Sequence, residues 1–336
     1  MNDYLVSLII VSLDGRELLP ACLDSVALEM TSDYEMILVD NGSTDDSGPF
    51  VISNYPWVRV IRSEQNLGFA GGSNFGAKHA KGKYLLFLTN DIVVTPKFLD
   101  ELIRVLDADP LAGLVQSKLL MADNPNVIDS VGSYLTPTGI LLHAEHGQSE
   151  KKHLGGPKEI LGAAGASILI RREIFEQLGG FDGDYVTYFE DTDLSWRIWL
   201  LGYKVLLVPD SKVYHWGGVT TKKFPSQITV FHSFKNRICS LIKLLSGRDL
   251  LRILPIHLII CLSGSLAYLL RLKWRNSFAI LEAIAWNLVN LRSTYEKRLE
   301  VSINSKVSRE SLFPRLMRSM PASHFLKSSL GYLSEW

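Results

Sequence analysis

The first 90 residues alternate short apolar runs with segments of helical periodicity. The apolar runs have strand length and little polar interruption, and they cover residues 5–11, 36–39, 58–61 and 84–88. Such runs are typical of strands buried on both faces of a parallel sheet. Residues 16–26 and 66–76 between them have helical patterns. The alternation predicts a doubly wound, mainly parallel α/β sheet, whose ligands bind beyond the carboxyl ends of the strands.

The rest of the chain divides by pattern. Residues 114–161 are punctuated by glycine and proline, which favours irregular loops or small antiparallel strands. An apolar stretch at 163–170, helices over 171–178 and 194–201 and a strand at 205–208 follow. The pattern is then helical from 226 to about 299. We therefore expect a nucleotide-binding domain over 1–225, a helical region over 226–300 and a poorly ordered tail over 301–336.

The helical region predicts membrane association. Residues 253–270 are apolar for 18 positions, the lower limit for a spanning helix, and basic residues flank both ends. The next apolar stretch, 278–291, is too short to span. We expect a peripheral or monotopic anchor on the cytoplasmic face of the cell membrane, with a single span and a soluble helical subdomain as alternatives.

The distribution of charge along the chain supports the expected membrane association. The chain of 336 residues has no net charge, but residues 1–234 carry 19 Lys and Arg against 29 Asp and Glu, and residues 235–336 carry 16 against 6. The basic end favours an anionic membrane surface over nucleic acid because its charges flank apolar helices. The three cysteines have no metal-ligand or disulfide spacing, and the amino-terminal run lacks the features of a secretory signal.

Polar residues follow three of the predicted strands. They are Asp14, Asp40 and the Thr89-Asn90-Asp91 segment. The glycine-rich segment 66–76 does not have the G-x-G-x-x-G spacing directly after the first strand, which disfavours a dinucleotide-dependent oxidoreductase. Its glycines would let the backbone approach a ligand, or they form a plain helix entry.

Six stretches together carry a resemblance to a known family. They are residues 11–15, 38–45, 66–76, 88–91, 179–182 and 188–197. In this order they resemble the family 2 glycosyltransferases of GT-A fold, and among these the rhamnosyltransferase-like branch that builds surface polysaccharides. The resemblance covers about two thirds of the chain.

The resemblance implies a nucleotide-sugar donor and a set of residues that bind it. These are Ser12, Asp14, Asp40, Asn66, Gly68, Asn74, Asn90 and Arg197. Asp40 would contact the nucleobase or ribose, although it also suits capping of the turn that follows it. Arg197 lies one helical turn after a cluster of acids and would hold either those acids or a phosphate.

The resemblance also implies a divalent metal, Mn²⁺ or Mg²⁺, at Asp91 and His215. Hard cations take oxygen ligands, and neutral imidazole suits manganese. Thr89 stands where the family often has Asn or Asp, so Asp91 is the only carboxylate of this motif. A turn at the end of a strand, and a histidine with a structural role, are the alternatives.

Glu190, Asp191 and Asp193 precede the predicted helix 194–201, where any acid favours the positive helix end. Aromatic neighbours would raise the pKa of such a carboxyl group toward that of a useful base. By resemblance Asp191 is the general base, Glu190 is the second candidate, and Asp193 caps the helix.

These expectations describe an inverting glycosyltransferase that moves a sugar to a lipid-linked or polysaccharide acceptor. The branch resembled favours dTDP-rhamnose, with UDP-sugars and GDP-sugars as alternatives. A nucleotidyltransferase would need a basic glycine-rich loop after the first strand, which residues 12–15 lack. A non-catalytic membrane scaffold with a degenerate domain is the third hypothesis, supported only by Thr89.

Overall fold

The computed structural model describes residues 3–151, 155–219 and 224–319. Its strands are β1 Tyr4–Ser12, β2 Tyr34–Asp40, β3 Val58–Arg62, β4 Gly82–Thr89, β5 Ile92–Val94, β6 Ala112–Met121, β7 Ile128–Ser130, β8 Ser133–Leu135, β9 Leu141–His143, β10 Lys158–Glu159, β11 Ser167–Arg171 and β12 Lys204–His215. Its helices are α1 Leu19–Ala27, α2 Ser47–Asn54, α3 Gly68–His79, α4 Phe98–Ala108, α5 Arg172–Gln177, α6 Glu190–Leu200, α7 Ser226–Leu244, α8 Gly247–Leu270, α9 Trp274–Val289, α10 Leu291–Asn304 and α11 Arg309–Leu316.

A ten-stranded sheet organises the first 219 residues. Its main order is β10-β12-β6-β11-β4-β1-β2-β3, with β5 paired to β12 and β7 paired to β6. Strands β4, β1, β2 and β3 are parallel, and β11 runs antiparallel between β4 and β6. The predicted α/β fold with a mainly parallel sheet is confirmed.

Both faces of the sheet are covered, as the uninterrupted apolar strands require. Leu8 and Ile10 of β1 pack into a core on one side, whereas Ile9 packs into a second core on the other side. Because successive strand residues point to opposite faces, only a strand covered twice can be apolar at every position. The carboxyl ends of β1, β2 and β4 are therefore placed by a rigid scaffold.

Strand β6 corrects the expectation of irregular structure from residue 114. It is a ten-residue strand between β12 and β11. Gln116, Ser117 and Lys118 interrupt its apolar pattern, yet all three are buried. The Ser117 hydroxyl is hydrogen-bonded to the hydroxyls of Ser167 and Ser211, at 2.9 and 2.8 Å. Polar residues are buried in this strand because neighbouring strands supply partners, which a hydropathy pattern cannot show.

Two further boundaries differ from the sequence-based expectation. Helix α6 begins at Glu190 and not at residue 194, so the three acids lie inside its first turn. After Val301, which was expected to open a poorly ordered tail, α10 continues to Asn304 and α11 packs Leu312 and Phe313 into the core. Ordered structure persists there because α11 supplies apolar residues to that core. The expectation for residues 320–336 lies outside the described residues.

Helices α7 to α10 form the carboxyl-terminal layer, and α8 is unusual in what it buries. Its buried residues form one narrow stripe, namely Ile253, His257, Cys261, Ser265 and Tyr268. The other faces of α8 expose large apolar side chains, including Leu251, Ile259, Leu262, Leu266 and Leu270. Within the described part of the chain, α8 is the one helix that is long and apolar enough to cross a membrane.

Candidate active site

The site lies where β1, β2 and β4 end. The register of the sheet pairs Ser12 with Asp40 across β1 and β2. The Ser12 hydroxyl accepts a hydrogen bond from the Asn90 side chain at 2.9 Å. Three residues predicted to bind the donor are thereby brought to one sheet edge. Asp40, Asn90 and Ser12 are all buried.

Asp40 serves as a turn cap. Its Oδ1 accepts a hydrogen bond from the Ser43 backbone N–H at 2.9 Å, and its Oδ2 lies 3.0 Å from the Arg62 guanidinium. Arg62 also donates to the Ser43 carbonyl at 3.1 Å and is more than half exposed. Sequence analysis missed Arg62, although a cation at the end of β3, beside the predicted nucleoside site, was a usable signal.

Asp14 ties two loops of the site together. Its Oδ1 accepts a hydrogen bond from the Thr44 backbone N–H at 2.7 Å, and its own N–H donates to the Ser43 hydroxyl at 3.0 Å. Asp14 has a φ of 47°, in the left-handed region. Asp14 therefore holds the loop after β1 against the loop after β2, in a conformation that few non-glycine residues adopt.

The glycine-rich segment builds the wall of the site. The Asn66 Oδ1 accepts a hydrogen bond from the Gly68 N–H at 2.8 Å. Gly68 has a φ of +69°, and a Cβ there would lie 2.2 Å from the Val186 carbonyl oxygen, so only glycine fits. Asn74 differs from the expectation: its amide bonds the Phe181 backbone N–H and carbonyl at 2.9 and 2.8 Å. Both ends of that amide hold a loop and are not presented to a donor.

Asp91 and His215, the two residues expected to bind a metal, lie close together. The antiparallel pairing of β12 and β5 sets His215 opposite Ile92, and His215 Nε2 lies 3.5 Å from Asp91 Oδ1. The other ring nitrogen, Nδ1, lies 2.7 Å from Asp129 Oδ2. A carboxylate that holds the second nitrogen of a histidine is typical of metal-ligating imidazoles. Sequence analysis missed Asp129 because it lies in a region read as irregular.

The pKa values of His215 and Asp91 are both shifted from their usual ranges. Burial opposes protonation of His215, but its hydrogen bonds and the charges of Asp129 and Asp91 raise its pKa to about 9. Burial disfavours the charged form of Asp91, but His215 outweighs this effect and lowers the pKa of Asp91. At neutral pH the pair is therefore a carboxylate that faces an imidazolium N–H, and a bound metal ion would displace that proton from His215. A divalent cation fits this donor set if phosphate oxygens complete it, since no group of three acidic, His or Cys ligands occurs among the described residues.

Asp191 and Glu190 lie in the first turn of α6, and their surroundings differ. Asp191 is half-buried, and its two carboxylate oxygens accept hydrogen bonds from the Gly165 and Thr192 N–H groups, at 2.8 and 2.6 Å. Glu190 is buried, and its Oε2 has no hydrogen-bond partner among the described residues. Burial raises the pKa of both, and the Asp191 charge raises that of Glu190 further.

The backbone before α6 is strained. Tyr188 and Phe189 have φ values of 66° and 69°, which residues other than glycine rarely adopt. Asn236 of α7 donates hydrogen bonds from its amide to the Thr187 and Tyr188 carbonyls, at 2.8 and 2.6 Å. Strained backbone persists only where its surroundings impose it. Here α7 supplies that support directly beside the two acids.

Asp193 and Arg197 have structural partners. Asp193 is fully buried inside α6 and pairs with Arg197 at 2.8 Å and Lys243 at 2.7 Å, so it does not cap the helix. The Arg197 guanidinium also donates to the Leu178 and Gly180 carbonyls, each at 2.9 Å. Of the two roles expected for Arg197, it therefore holds an acid and not a phosphate.

One short segment connects the two ends of the site. The Gly165 N–H donates to Asp191, and the Ala166 carbonyl accepts from the Thr89 N–H at 3.2 Å. Thr89 is two residues before Asp91. Residues 165–166 thus contact Asp191 on the one hand and, through Thr89, the end of β4 that precedes Asp91 on the other.

Comparisons with known proteins identify the family of the chain. The model of the family "Glycosyl transferase family 2" matches residues 7–179. The O-antigen biosynthesis protein RfbC of Myxococcus xanthus is 29% identical over 220 residues, which are 62% of this chain and 17% of that protein. An N-acetylglucosaminyl-diphospho-decaprenol L-rhamnosyltransferase of Mycobacterium tuberculosis is 25% identical over 232 residues, 62% of this chain and 75% of that protein.

Solved structures of low sequence identity share the fold. A mannosyltransferase from Pyrobaculum calidifontis, in complex with GDP-Man and Mn²⁺, covers 91% of this chain and 87% of its own, with a TM-score of 0.53 and 18% identity. GalNAc-T7 with UDP, GalNAc and Mn²⁺ covers 63% of this chain and 43% of its own, with a TM-score of 0.54 and 23% identity. Since the family model matches just over half of the chain, this protein belongs to glycosyl transferase family 2, and its fold is GT-A.

Proposed function

We propose that the protein is an inverting glycosyltransferase that uses a nucleoside-diphosphate sugar. The proposal depends on one observation. The hydrogen-bonded carboxylate of Asp191 and two side chains suited to bind a metal, Asp91 and His215, are connected through the segment 165–166. A single displacement needs a base on the acceptor side and charge neutralisation at the leaving group. Asp191 would supply the base, and a cation bound by Asp91 and His215 would neutralise the charge of the leaving group.

Asp191 is the better base of the two acids. Two backbone N–H groups favour its ionised form, while burial raises its pKa toward neutrality, so it can accept a proton at working pH. Glu190 is more deeply buried and lacks a partner for Oε2, which favours its protonated form. In the proposed reaction Asp191 takes the proton of the acceptor hydroxyl as its oxygen attacks the anomeric carbon.

Asp91 and His215 would hold Mn²⁺ or Mg²⁺, with Asp129 orienting the imidazole. The bound cation would neutralise charge on the leaving nucleoside diphosphate. Ser12, Asn90 and Asp40 form the donor side of the site, and Arg62 adds an exposed cation there. Asp14 and the Asn66–Gly68 wall would shape the same pocket from two further loops.

The names of the relatives favour particular substrates. The Mycobacterium relative is named for rhamnose transfer to a diphospho-decaprenol sugar. We infer that this protein uses dTDP-rhamnose or a UDP-sugar and a lipid-linked or polysaccharide acceptor in the synthesis of cell-surface glycans. The proposed catalytic domain is 1–225, and the proposed membrane-associated region is 226–300.

The exposed apolar face of α8 supports a membrane anchor. A helix that buries His257 and Ser265 while it exposes Ile259 and Leu266 has its more apolar side outward. Large exposed apolar surfaces mark membrane or protein contacts. The basic flanks favour anionic lipid at the cytoplasmic face, with a peripheral or monotopic attachment.

The central experiment compares Asp191→Asn with Asp91→Ala. We expect Asp191→Asn to keep donor affinity and to lose about 10²–10⁴-fold in transfer rate, since it removes only the general base. Asp91→Ala is expected to lose both Mn²⁺ affinity and donor affinity. Release of nucleoside diphosphate from a panel of nucleotide sugars measures turnover, and calorimetry measures binding. Equal loss of donor affinity in both variants, or full activity after chelation, would contradict the roles assigned.

A further inference from the structure

The segment 163–166, which leads into β11, is held by hydrogen bonds at each of its residues. Its partners, in the order of the segment, are Ser195, Gln116, Asp191 and Thr89. The Ala164 N–H donates to Gln116 Oε1 at 2.8 Å, and the next N–H, that of Gly165, donates to Asp191 Oδ2 at 2.8 Å. Gln116 therefore fixes the peptide unit directly before the one that contacts the proposed general base.

The Gln116 side chain lies in β6 and is fully buried, and both ends of its amide have partners. Its Oε1 accepts from Ala164, while its Nε2 donates to the Ser117 carbonyl at 3.1 Å and to the Ser130 carbonyl at 3.5 Å. Because carbonyls only accept and an N–H only donates, these partners fix the orientation of the amide. A side chain fixed in this way holds the segment 163–166 in one position relative to β6.

Gly165 packs closely against the proposed general base. A Cβ on Gly165 would lie 3.3 Å from Asp191 Oδ2 and 3.3 Å from the Phe69 ring. Burial raises the pKa of Asp191, and the hydrogen bond from Gly165 opposes that rise. Glu190, in the same turn, is the titratable neighbour of Asp191, whereas the segment 163–166 and the Phe69 ring carry no charge. A shift of this segment would therefore change both the position and the basicity of Asp191.

We propose that Gln116 is a positioning residue for the general base, because it holds Ala164 so that the Gly165 N–H stays on Asp191 Oδ2. The inference rests on the proposed function, which it deepens by assigning the base a support in β6, far from α6 in the chain. In this role Gln116 contacts neither the donor nor the acceptor. It acts only through the backbone of residues 164–165.

The test is Gln116→Met, which removes the acceptor of the Ala164 N–H and keeps a side chain of similar length. We expect kcat to fall about tenfold with an unchanged KM for the donor, since Asp191 acts on the acceptor hydroxyl. Ionised Asp191 would also lose the hydrogen bond from Gly165, so its pKa would rise. The acidic limb of the kcat–pH profile should therefore move to higher pH by about one unit.

Ser211→Ala is the matched control. Ser211 is buried in β12, and its hydroxyl is hydrogen-bonded to the Phe98 carbonyl and the Ser117 hydroxyl, each at 2.8 Å. The substitution removes buried hydrogen bonds of the same sheet but none to the segment 163–166. We expect a lower melting temperature and an acidic limb at the wild-type pH.

Ser195→Ala repeats the test if Gln116→Met fails to fold. Ser195 accepts a hydrogen bond from the Ala163 N–H at 3.1 Å, so its loss loosens the same segment from α6. The acidic limb should again move to higher pH. An unmoved limb in the folded variant, or an equal movement in Ser211→Ala, would overturn the proposal.

Carbon-13 NMR of the full-length protein, labelled at the aspartate carboxyl groups, measures the pKa of Asp191 without turnover. Asp191→Asn identifies the signal. If the wild-type protein releases no nucleoside diphosphate from any donor, but the pKa of Asp191 still rises in Gln116→Met, the proposed function fails and the positioning of Asp191 stands. If the wild-type protein turns a donor over, but neither the acidic limb nor the pKa of Asp191 moves in the variant, only the role of Gln116 is wrong.

Discussion

Helices α7 and α8 follow each other in the chain, but α7 buries charged residues whereas α8 exposes large apolar ones. Helix α7 buries Lys235, Asn236 and Lys243, whereas α8 leaves Ile259 and Leu266 exposed. A polar residue is buried only where partners satisfy it, and an exposed apolar face is stable only where something covers it. In this structure α7 packs against residues of the domain 1–225, and the exposed face of α8 supports the proposed contact with a membrane.

Several polar partners of α7 belong to α6 or to the segment before it. Lys243 bridges Asp182 and Asp193, and Lys235 donates to the Asp184 carbonyl. From α10, Lys297 pairs with Asp182 and Asp184. The helical region is therefore packed closely on the sheet domain, because α7 and α10 hold the loop before α6, which carries the proposed general base.

Among substitutions that disrupt the contacts of α7 with α6 and the segment before it, Lys243→Met is expected to lower stability most. The variant leaves Asp182 and Asp193 buried with one cation each, namely Lys297 and Arg197. Removing one partner of a buried ion pair costs about 3–5 kcal/mol, and the remaining cations put this case near 3. We expect a melting temperature roughly 5–10 °C lower by calorimetry.

Arg292→Met is the control for that substitution. The Arg292 side chain is 93% exposed and pairs with an exposed Glu296, so the free energy of unfolding should change by less than about 0.5 kcal/mol. Equal destabilisation by the two variants would show that the buried ion pairs of Lys243 contribute no more to the free energy of unfolding than an exposed ion pair does.

A smaller effect, on turnover, is expected from Asn236→Ala. The change removes the donor to the Thr187 and Tyr188 carbonyls, and an unmet buried hydrogen bond costs about 1–3 kcal/mol. Relaxation of the strained turn would displace Asp191, so we expect kcat to fall about tenfold with an unchanged KM for the donor.

Asn290→Ala is the matched control, because Asn290 donates only to the Trp286 carbonyl at the junction of α9 and α10. A loss of kcat in both variants, or a lower melting temperature without any loss of kcat in Asn236→Ala, would argue against a positioning role for Asn236.

Sequence patterns predicted the parallel half of the sheet because those strands are short, mostly apolar runs. They failed at β6, where Gln116 and Ser117 are buried among polar partners on distant strands. Likewise, the pairing of His215 with Asp91 was foreseeable from family motifs, but the contact of His215 with Asp129 depends on how β7 pairs with β6.

The roles of single polar residues were the hardest to predict. Asn74 and Arg197 stand in family motifs, yet in the structure they bond the backbone of residues 178–181. A motif identifies which residue types recur at a site, but it does not separate contact with a ligand from support of the loop beside it. Only the hydrogen-bond partners make that distinction, and they lie about 20 to 100 residues away in the chain.

The smallest effect on stability is expected for substitutions on the exposed face of α8. The double change Ile259→Gln with Leu266→Gln alters two exposed side chains of α8, so the free energy of unfolding in detergent should change by less than about 1 kcal/mol. Transfer of such side chains into lipid contributes about 1.5–3 kcal/mol each, so binding to phosphatidylglycerol vesicles should fall at least about tenfold.

Flotation with vesicles measures this binding, and Leu28→Gln with Ile52→Gln is the matched control. Leu28 and Ile52 are also exposed, at 83% and 62%, but they lie on the catalytic domain. If both double variants lose vesicle binding equally, general surface hydrophobicity drives association and α8 has no special role. If only the α8 variant loses vesicle binding while its melting temperature is unchanged, then the exposed face of α8 binds the membrane, whereas α7 supports the loop before α6.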